Sequence, residues 1–394
     1  LKCASIRISL ALATFYDWLI HQMDVSTAFL NGVIRVPLFC GPPPGYKMLR
    51  GKVLKLLKAL YGTKQGARVW NIALDDYLVK TLKFTKCPHE ACIYIKRTFE
   101  VSEPTGMLIL AIFVDDILVI SGSISLINWF KTKISTKFKM TDQGELEFFL
   151  GMQVKRHFGR RKLLLNQARY HSEILNRVSL SKCNAAPAPA DSKVILSKTM
   201  SPSNDEERAF VAAQKDHKSY PSLVGSISYT ANSTRPDITF AVNQTARFAA
   251  CAGPEHFKAV KKVFRYLKGT QNHGLLFGPN IFDPKGANHP SLFAFCDSDW
   301  ARCPDTRRST GSYQIWMFGA PVLFRTFVDK SVSLSSAEAE YRTLSDLTKD
   351  ILWTRKVVEF VLDLKIQNPT SIYVDNQAAI AIANNPVSGK RSKH

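Results

Sequence analysis

The stretch Leu108–Ile120, which reads LILAIFVDDILVI, places two adjacent acids between two apolar runs. Each run is short and rich in Ile, Leu and Val, which is typical of buried β-strands rather than of a helix. Two strands that are separated by two residues predict a tight hairpin with Asp115 and Asp116 at its tip. Asp is a good turn residue, so a purely structural role stays open. Adjacent carboxylates on so apolar a hairpin also repel each other unless cations or water hold them.

A second acid at the end of another strand would strengthen the interpretation as a site, and Asp24 in HQMDVSTAFLNG is placed to supply it. The apolar pattern predicts a strand around Met23, and we expect Asp24 to face the same site as Asp115. Residues 4–20 show helical spacing of apolar positions and predict a helix that packs behind this strand. Phe29 either lines a pocket beside Asp24 or packs in the core.

The composition indicates a globular protein that binds a polyanion. The chain has 394 residues, of which 45% are hydrophobic and 22% charged, which is enough for two or three domains and argues against disorder. The net charge of +21 makes nucleic acid the first candidate partner, although a solvated basic surface would give the same charge. No apolar run reaches transmembrane length and no signal peptide is visible, so we expect no membrane partner.

The eight cysteines contain no CxxC pair, which argues against a zinc site. Their scatter along the chain is typical of reduced thiols. We therefore expect a cytoplasmic or nuclear location and not a secreted protein.

Two basic segments alternate with apolar and aromatic residues. The first, residues 51–78, has the spacing of phosphate and base-stacking contacts, or of a helix with a solvated lysine face. The second, residues 155–182, predicts either a thumb-like element on a duplex or an ordinary amphipathic helix. Residues 183–219 shift to Ala, Pro, Ser, Asp and Lys and predict a tether between domains.

A second set of acids lies in the last quarter of the chain. An apolar strand is predicted to end at Asp297 in LFAFCDSD, and another at Asp375 in SIYVDNQ. Between them, SLSSAEAEY predicts the start of a helix, where Ser335 and Glu338 have capping-box spacing. That spacing gives Glu338 a structural role and leaves Glu340 free to face a site. Each acid alone is better explained as a cap or turn residue.

Several motifs in order carry a resemblance to a known family. The segments MDVSTAFLNG, KALYGTKQGARVW, FVDD and GELEFFLGMQV are followed by YPSLVGSISY, STRPDITFAVN and HFKAVKKVFRYLKGT. DSDWARCPDTRRST and SLSSAEAEY complete the series. In wording and order the chain resembles the Pol polyprotein of copia-type LTR retrotransposons, in its reverse transcriptase and ribonuclease H portion.

The resemblance implies an α/β (α+β) fold with four parts. A reverse transcriptase palm and thumb with truncated fingers would span residues 1–182, and a linker residues 183–219. A connection region would follow over 220–285. A ribonuclease H-like domain, a mixed sheet with helices, would occupy 286–394 and be truncated before a fourth acid of its site.

The resemblance also implies the site residues. The carboxylates that would hold two Mg²⁺ (or Mn²⁺) ions in each of two catalytic sites are Asp24, Asp115 and Asp116 for polymerisation, and Asp297, Glu340 and Asp375 for RNA cleavage. Phe29 would exclude the ribose 2′-hydroxyl, and Gln65 and Arg68 would contact nucleotide and template. Phe149, Leu150 and Gly151 would form the primer grip. Paired ions about 4 Å apart stabilise the attacking and leaving oxygens of a phosphoryl transfer, and Mg²⁺ prefers carboxylate oxygens.

The implied function is RNA-directed DNA polymerisation with ribonuclease H activity. The partners would be an RNA template, a DNA primer, an RNA–DNA hybrid, dNTPs and other Pol segments, in a cytoplasmic virus-like particle or in the nucleus. The alternative is a decayed, inactive remnant that only binds nucleic acid. The truncated ends and departures such as Arg35–Pro37 and Thr63 favour that alternative.

Overall fold

The structure, a computed structural model, describes residues 1–46, 51–97, 106–279 and 289–385. Its mixed α/β character confirms the predicted fold class. The chain divides into two compact units, and the first helix, α1 (Cys3–Phe15), belongs to the second of them. The predicted boundaries at 182 and 219 stay predictions, and the one at 285 lies outside the described residues. Among the helices in the described ranges, none has both the length and the hydrophobicity that crossing a bilayer requires.

The first unit, residues 16–146 with Leu1 and 360–363, is built on a six-stranded antiparallel sheet of order β4-β5-β6-β7-β1-β8. Its strands, with a separate two-stranded ribbon β2–β3, are β1 (Leu19–Val25), β2 (Phe39–Cys40), β3 (Leu54–Lys55), β4 (Thr85–Lys86), β5 (Ile93–Arg97), β6 (Met107–Phe113), β7 (Asp116–Ser121) and β8 (Met140–Glu145). The apolar runs that flank the acids thus form adjacent central strands, as their composition predicts.

Two helices cover this sheet: α2 (Gly66–Asp76), which continues as a π-helical turn (Tyr77–Thr81), and α3 (Ile124–Lys137). Trp70 of α2 and Phe130 of α3 are buried in one hydrophobic cluster with Leu110 of β6. α3 begins where the Ser123 hydroxyl accepts a hydrogen bond from a backbone N–H of its first turn. This packing fixes the β6–β7 hairpin and the start of α2 in the same unit.

The second unit contains a sheet of order β12-β11-β10-β9. Its antiparallel strands are β9 (Phe148–Phe149), β10 (Met152–His157), β11 (Lys162–Asn166) and β12 (Gly274–Phe277). The basic segment 155–182 is therefore not a single amphipathic helix, and its role as a thumb-like element stays a prediction. It forms most of a hairpin and then the helix α4 (Ala168–Arg177).

A layer of helices packs around one hydrophobic cluster in this unit. The helices are α4, α5 (Asp205–Ala213), α6 (Tyr220–Ser233), α7 (Thr239–Ala246) and α8 (Pro254–Gly269). The segment predicted as a tether, 183–219, is packed against them. Leu196 is buried, the Phe210 ring contacts the Phe257 ring at 5.5 Å between centroids, and Arg265 donates to the backbone carbonyl of Asn184 at 2.8 Å. The polar composition of this segment gave no indication in the sequence that it would make these contacts.

The last sheet has the order β15-β14-β13-β16, in which β13 and β16 are parallel and the other pairs antiparallel. Its strands are β13 (Leu292–Asp299), β14 (Thr310–Met317), β15 (Ala320–Val328) and β16 (Ser371–Tyr373), with helices α9 (Ser336–Leu362) and α10 (Gln377–Asn384). The predicted capping role of Glu338 is confirmed: its N–H donates to the Ser335 hydroxyl at 3.1 Å, and its carboxylate accepts from the Leu334 N–H at 2.7 Å.

The prediction of a helix over residues 4–20 behind the Asp24 strand is wrong in both extent and position. α1 ends at Phe15 and packs on β15 and β11 of the second unit. Its buried Arg7 donates to the carbonyl of Val322 at 2.7 Å and to two carbonyls at the end of α6. Because α1 is apolar on nearly every side, its sequence could not indicate which element it packs against.

Candidate active sites

The predicted acidic hairpin forms, with its turn shifted by one residue. Val114 and Asp115 make the turn, and Asp116 is the first residue of β7, paired with Phe113. Val114 has φ +56°, an unusual conformation for a β-branched residue. Hydrogen bonds to the turn hold it there: the Trp70 indole donates to the Val114 carbonyl at 2.6 Å, and the Val25 N–H donates to the Asp115 carbonyl at 2.9 Å.

Asp24 lies directly opposite Asp116, because β1 and β7 pair in the register that aligns these two residues. Residues paired across antiparallel strands point to the same face of a sheet. The charge of Asp115 acts on both. The structure therefore brings together the three aspartates that the sequence singled out.

The electrostatics of this trio are unfavourable without a cation. Burial, followed by repulsion from Asp115, raises the pKa of Asp24. Burial also raises the pKa of Asp116, and the charges of Asp115 and Asp24 add to this. The Gln22 amide, which donates to Asp116 Oδ1 at 2.8 Å, acts in the opposite direction. A divalent cation would relieve this repulsion.

An aromatic pair lies beside these acids. Phe29 sits in a short 3₁₀ turn (Ala28–Asn31), and its ring centroid is 4.3 Å from that of Tyr61. The Tyr61 hydroxyl donates to Asp115 Oδ2 at 3.1 Å. Gly66 permits this packing, because a Cβ there would lie 2.8 Å from Thr63 Oγ1 and 3.3 Å from the Phe29 ring. In the sequence, Tyr61 is one aromatic of the basic segment 51–78, and no local pattern indicates its contact with Asp115.

The two other predicted substrate residues of this unit lie at the start of α2. Gln65 immediately precedes the helix, and Arg68 is exposed in its first turn. α2 packs on the 3₁₀ turn that carries Phe29. Gln65 and Arg68 are thus on the element that also supports the aromatic pair.

Leu150 and Gly151 belong to the second unit, where they form the two-residue turn between β9 and β10. Both have positive φ, 48° and 71°, as a type I′ hairpin turn requires. Tyr229 of α6 donates a hydrogen bond to the Leu150 carbonyl. Its hydroxyl lies 3.3 Å from where a Cβ on Gly151 would be. No local pattern in the sequence indicates this contact, because Tyr229 is 79 residues away from Leu150.

The second acidic set converges more tightly. Ligand atoms of Asp297, Glu340 and Asp375 all lie within 4.8 Å of one another, and no other such trio occurs among residues 1–46, 51–97, 106–279 and 289–385. The parallel strands β13 and β16 run side by side, so the acids at or beyond their carboxyl ends meet at one edge. Glu340 enters from the start of α9. The predicted trio is thus brought together, although β13 continues to Asp299.

Glu340 is the buried member of this set. Its Oε1 accepts a hydrogen bond from the Asn376 amide at 3.2 Å, while its Oε2 is buried without a hydrogen-bond partner in the described part of the chain. Burial, the largest cause, raises the pKa of Glu340, and the charges of Asp375 and Asp297 add to it against the opposing Asn376 hydrogen bond. Burial and the same three carboxylates raise the pKa of Cys296 to about 12.

These residues fit divalent metal ions. Mg²⁺ and Mn²⁺ prefer hard oxygen ligands, and both sets offer carboxylates from separate strands or from a strand and a helix. At the second set, the unpartnered Glu340 Oε2 is the kind of buried acceptor that an ion would satisfy. Asn376, which also caps α10 by accepting from the Ala379 N–H at 3.0 Å, orients the other oxygen.

The chain is similar along its whole length to Pol polyproteins of transposons. Residues 1–192 match the model of the reverse transcriptase (RNA-dependent DNA polymerase) family. The whole chain is 34% identical to the retrovirus-related Pol polyprotein from transposon TNT 1-94 of Nicotiana tabacum, covering 28% of that protein. It is 33% identical to the one from transposon RE1 of Arabidopsis thaliana, covering 25% of it. Over 84% of its length it is 28% identical to a putative transposon Ty5-1 protein of Saccharomyces cerevisiae, which it covers completely.

The chain spans about a quarter of the length of the two plant polyproteins that it matches. The motifs that carried the resemblance lie within this aligned region, because the match extends over the entire chain. Residues 1–192 therefore carry a reverse transcriptase domain, and over its whole length the chain is similar to the Pol polyproteins of copia-type retrotransposons.

Proposed function

We propose that this chain is an RNA-directed DNA polymerase with ribonuclease H activity, and that each reaction uses a pair of divalent ions. The observation that carries the proposal is the pairing of Asp24 with Asp116 beside Asp115, within a reverse transcriptase domain. The substrates would be an RNA template, a DNA primer, dNTPs and the resulting hybrid. The net charge of +21 favours these polyanions. Both reactions would take place in a cytoplasmic particle or in the nucleus.

At the polymerase site, Asp24, Asp115 and Asp116 would hold the ions, which when bound stabilise charge on the attacking and leaving oxygens. Gln22 orients Asp116 through its hydrogen bond to Oδ1. The Phe29 ring would sterically exclude a ribose 2′-hydroxyl from the site. Arg68, exposed at the start of α2, would contact phosphate, and Gln65 the base or template.

At the nuclease site, Asp297, Glu340 and Asp375 would hold the ions for cleavage of the RNA strand. The hydrogen bond from the Asn376 amide orients Glu340 Oε1, which would leave Oε2 to bind an ion. Leu150 and Gly151 would place the backbone of the β9–β10 turn against the primer strand; Gly151 is exposed, and Tyr229 holds the Leu150 carbonyl.

The test of the polymerase proposal is primer extension on an RNA template with Mg²⁺. We expect the parent chain to extend the primer, and Asp115→Asn to lower extension by about 10²-fold or more, because a lost ligand removes several kcal/mol of transition-state stabilisation. The matched control is Asp76→Asn. Asp76 is an exposed acid of the same unit that pairs with Lys80 one helical turn away, and we expect this variant to extend normally.

Equal extension by the parent and Asp115→Asn would contradict the proposal. Salt-sensitive hybrid binding without extension by the parent would instead support the alternative of an inactive remnant that only binds nucleic acid.

A further inference from the structure

Tyr61 contacts both parts of the proposed polymerase site. Its hydroxyl donates to Asp115 Oδ2 at 3.1 Å, and its ring packs on the Phe29 ring with 4.3 Å between centroids and 31° between the ring planes. The side chain is 58% exposed, so burial in the core does not explain where it lies. Its position is defined by these two contacts and by the turn that carries it.

That turn directs Tyr61 toward the acid. The Thr63 N–H donates to the Leu60 carbonyl at 3.1 Å, and Gly62 has φ +90°, the combination of a type II turn with Tyr61 in its second position. The Thr63 hydroxyl donates to the same carbonyl at 2.7 Å. Gly66 N–H then donates to the Thr63 carbonyl at 3.1 Å, which joins the turn to the start of α2. The backbone around Tyr61 is thus fixed by local hydrogen bonds.

We propose that Tyr61 is a positioning residue that holds Asp115 in the orientation needed to bind a divalent ion. A carboxylate offers about four lone-pair sites on two oxygens, so a hydroxyl on Oδ2 leaves Oδ1 free for an ion. The packing of the Tyr61 ring against Phe29 keeps the hydroxyl in place. Tyr61 would therefore serve Asp115 as Gln22 serves Asp116. This inference rests on the proposed function of the same site.

The variant that isolates the hydroxyl is Tyr61→Phe, which keeps the ring on Phe29. The measurement is Mn²⁺ binding by calorimetry and by electron paramagnetic resonance, without nucleic acid. All proteins would carry Asp297→Asn, so that the second acidic set does not contribute. Loss of the partner that orients a metal ligand typically weakens metal binding by 10–100-fold, and we expect about a 10-fold higher Kd. We expect the melting temperature to be unchanged, because the hydroxyl is exposed.

Three further variants serve as controls for this measurement. Tyr77→Phe removes a hydroxyl in the same unit that donates to the Lys133 carbonyl instead of to an acid, and should leave the Mn²⁺ Kd unchanged. Tyr61→Leu removes hydroxyl and ring and should weaken binding at least as much as Tyr61→Phe. Asp115→Asn sets the loss expected when the ligand itself is removed.

A Kd in Tyr61→Phe equal to that of the parent would overturn the inference, and a lower Kd would show that the hydroxyl competes with the ion, which also overturns it. A weaker Mn²⁺ affinity in Tyr61→Phe together with a parent chain that does not extend primers would support Tyr61 as the partner of Asp115 while contradicting the proposed polymerisation. Normal extension with an unchanged Kd would leave the proposed function standing and remove the inference.

Discussion

In the first unit, Asp115 and Asp116 each receive a hydrogen bond from a neighbouring side chain, Tyr61 and Gln22. In the second, the crowding is greater: ligand atoms of Asp297, Glu340 and Asp375 lie within 4.8 Å, and Glu340 Oε2 is buried without a hydrogen-bond partner in the described ranges. Asp297 and Asp375 remain exposed.

The two acidic sets thus keep like charges close together in different ways. Hydrogen bonds to exposed or half-buried carboxylates reduce the repulsion before any ion arrives. A buried carboxylate with an unpartnered oxygen instead destabilises the ion-free protein, and an ion relieves more of that cost. We therefore expect divalent ions to stabilise the fold mainly through the second set.

The largest expected effect is a crossover of activities. Asp115→Asn should lower primer extension by about 10²-fold or more and leave cleavage of a preformed RNA–DNA hybrid unchanged. Asp297→Asn should do the reverse. Both activities would be measured on the same preparations. The control for the second unit would be Asp346→Asn, which changes a half-buried acid of α9 that pairs with Lys349. A variant that removes both activities together would mean that the two sites are not independent.

The next effect concerns stability. Glu340→Gln should raise the free energy of unfolding at pH 7 without divalent ions by about 1–3 kcal/mol, because it removes a buried charge with an unsatisfied acceptor. It should also abolish the rise in melting temperature that Mn²⁺ gives the parent. Chemical denaturation with and without Mn²⁺ measures both. An ion-free variant that is less stable than the parent would show that Glu340 is well accommodated as a carboxylate.

The same comparison has a pH dependence with a definite sign. The folded-state pKa of Glu340 is raised above its usual value of 4.5. A group whose pKa is raised on folding contributes stability that is present below its unfolded pKa and is lost as the pH rises through the folded value. The parent should therefore match Glu340→Gln near pH 4 and become progressively less stable than it above pH 4.5. If the difference in unfolding free energy between the parent and Glu340→Gln does not change as the pH rises above 4.5, the assignment to Glu340 is wrong.

The smallest effect separates the two roles of Asn376. Asn376→Ser keeps an N-cap residue for α10 but is too short to reach Glu340, whereas Asn376→Ala removes both functions. We expect the Ala variant to be about 1 kcal/mol less stable than the Ser variant. Both should bind Mn²⁺ more weakly than the parent. Equal stability of the two would mean that the cap contributes little.

Local pattern predicted the acidic hairpin, the capping pair and the strand that carries Asp24, because each depends on neighbours in the chain. The turn was misplaced by one residue because Val114 adopts a positive φ that its β-branched side chain disfavours. Tyr61 was missed because its partner lies 54 residues away and the contact is exposed. α1 was misplaced because a helix apolar on nearly all sides has no face that identifies its neighbour.

The two units are interleaved along the polypeptide, since residues 2–15 precede the first unit and belong to the second. A fragment that begins at Glu147 would lack α1, and the carbonyl of Val322 and the ring of Phe324 would lose the guanidinium of Arg7 that covers them. Dissection of the gene at a single point therefore cannot yield two intact halves. A fusion that links residues 2–15 to the segment that begins at Glu147 would express that segment together with its opening helix.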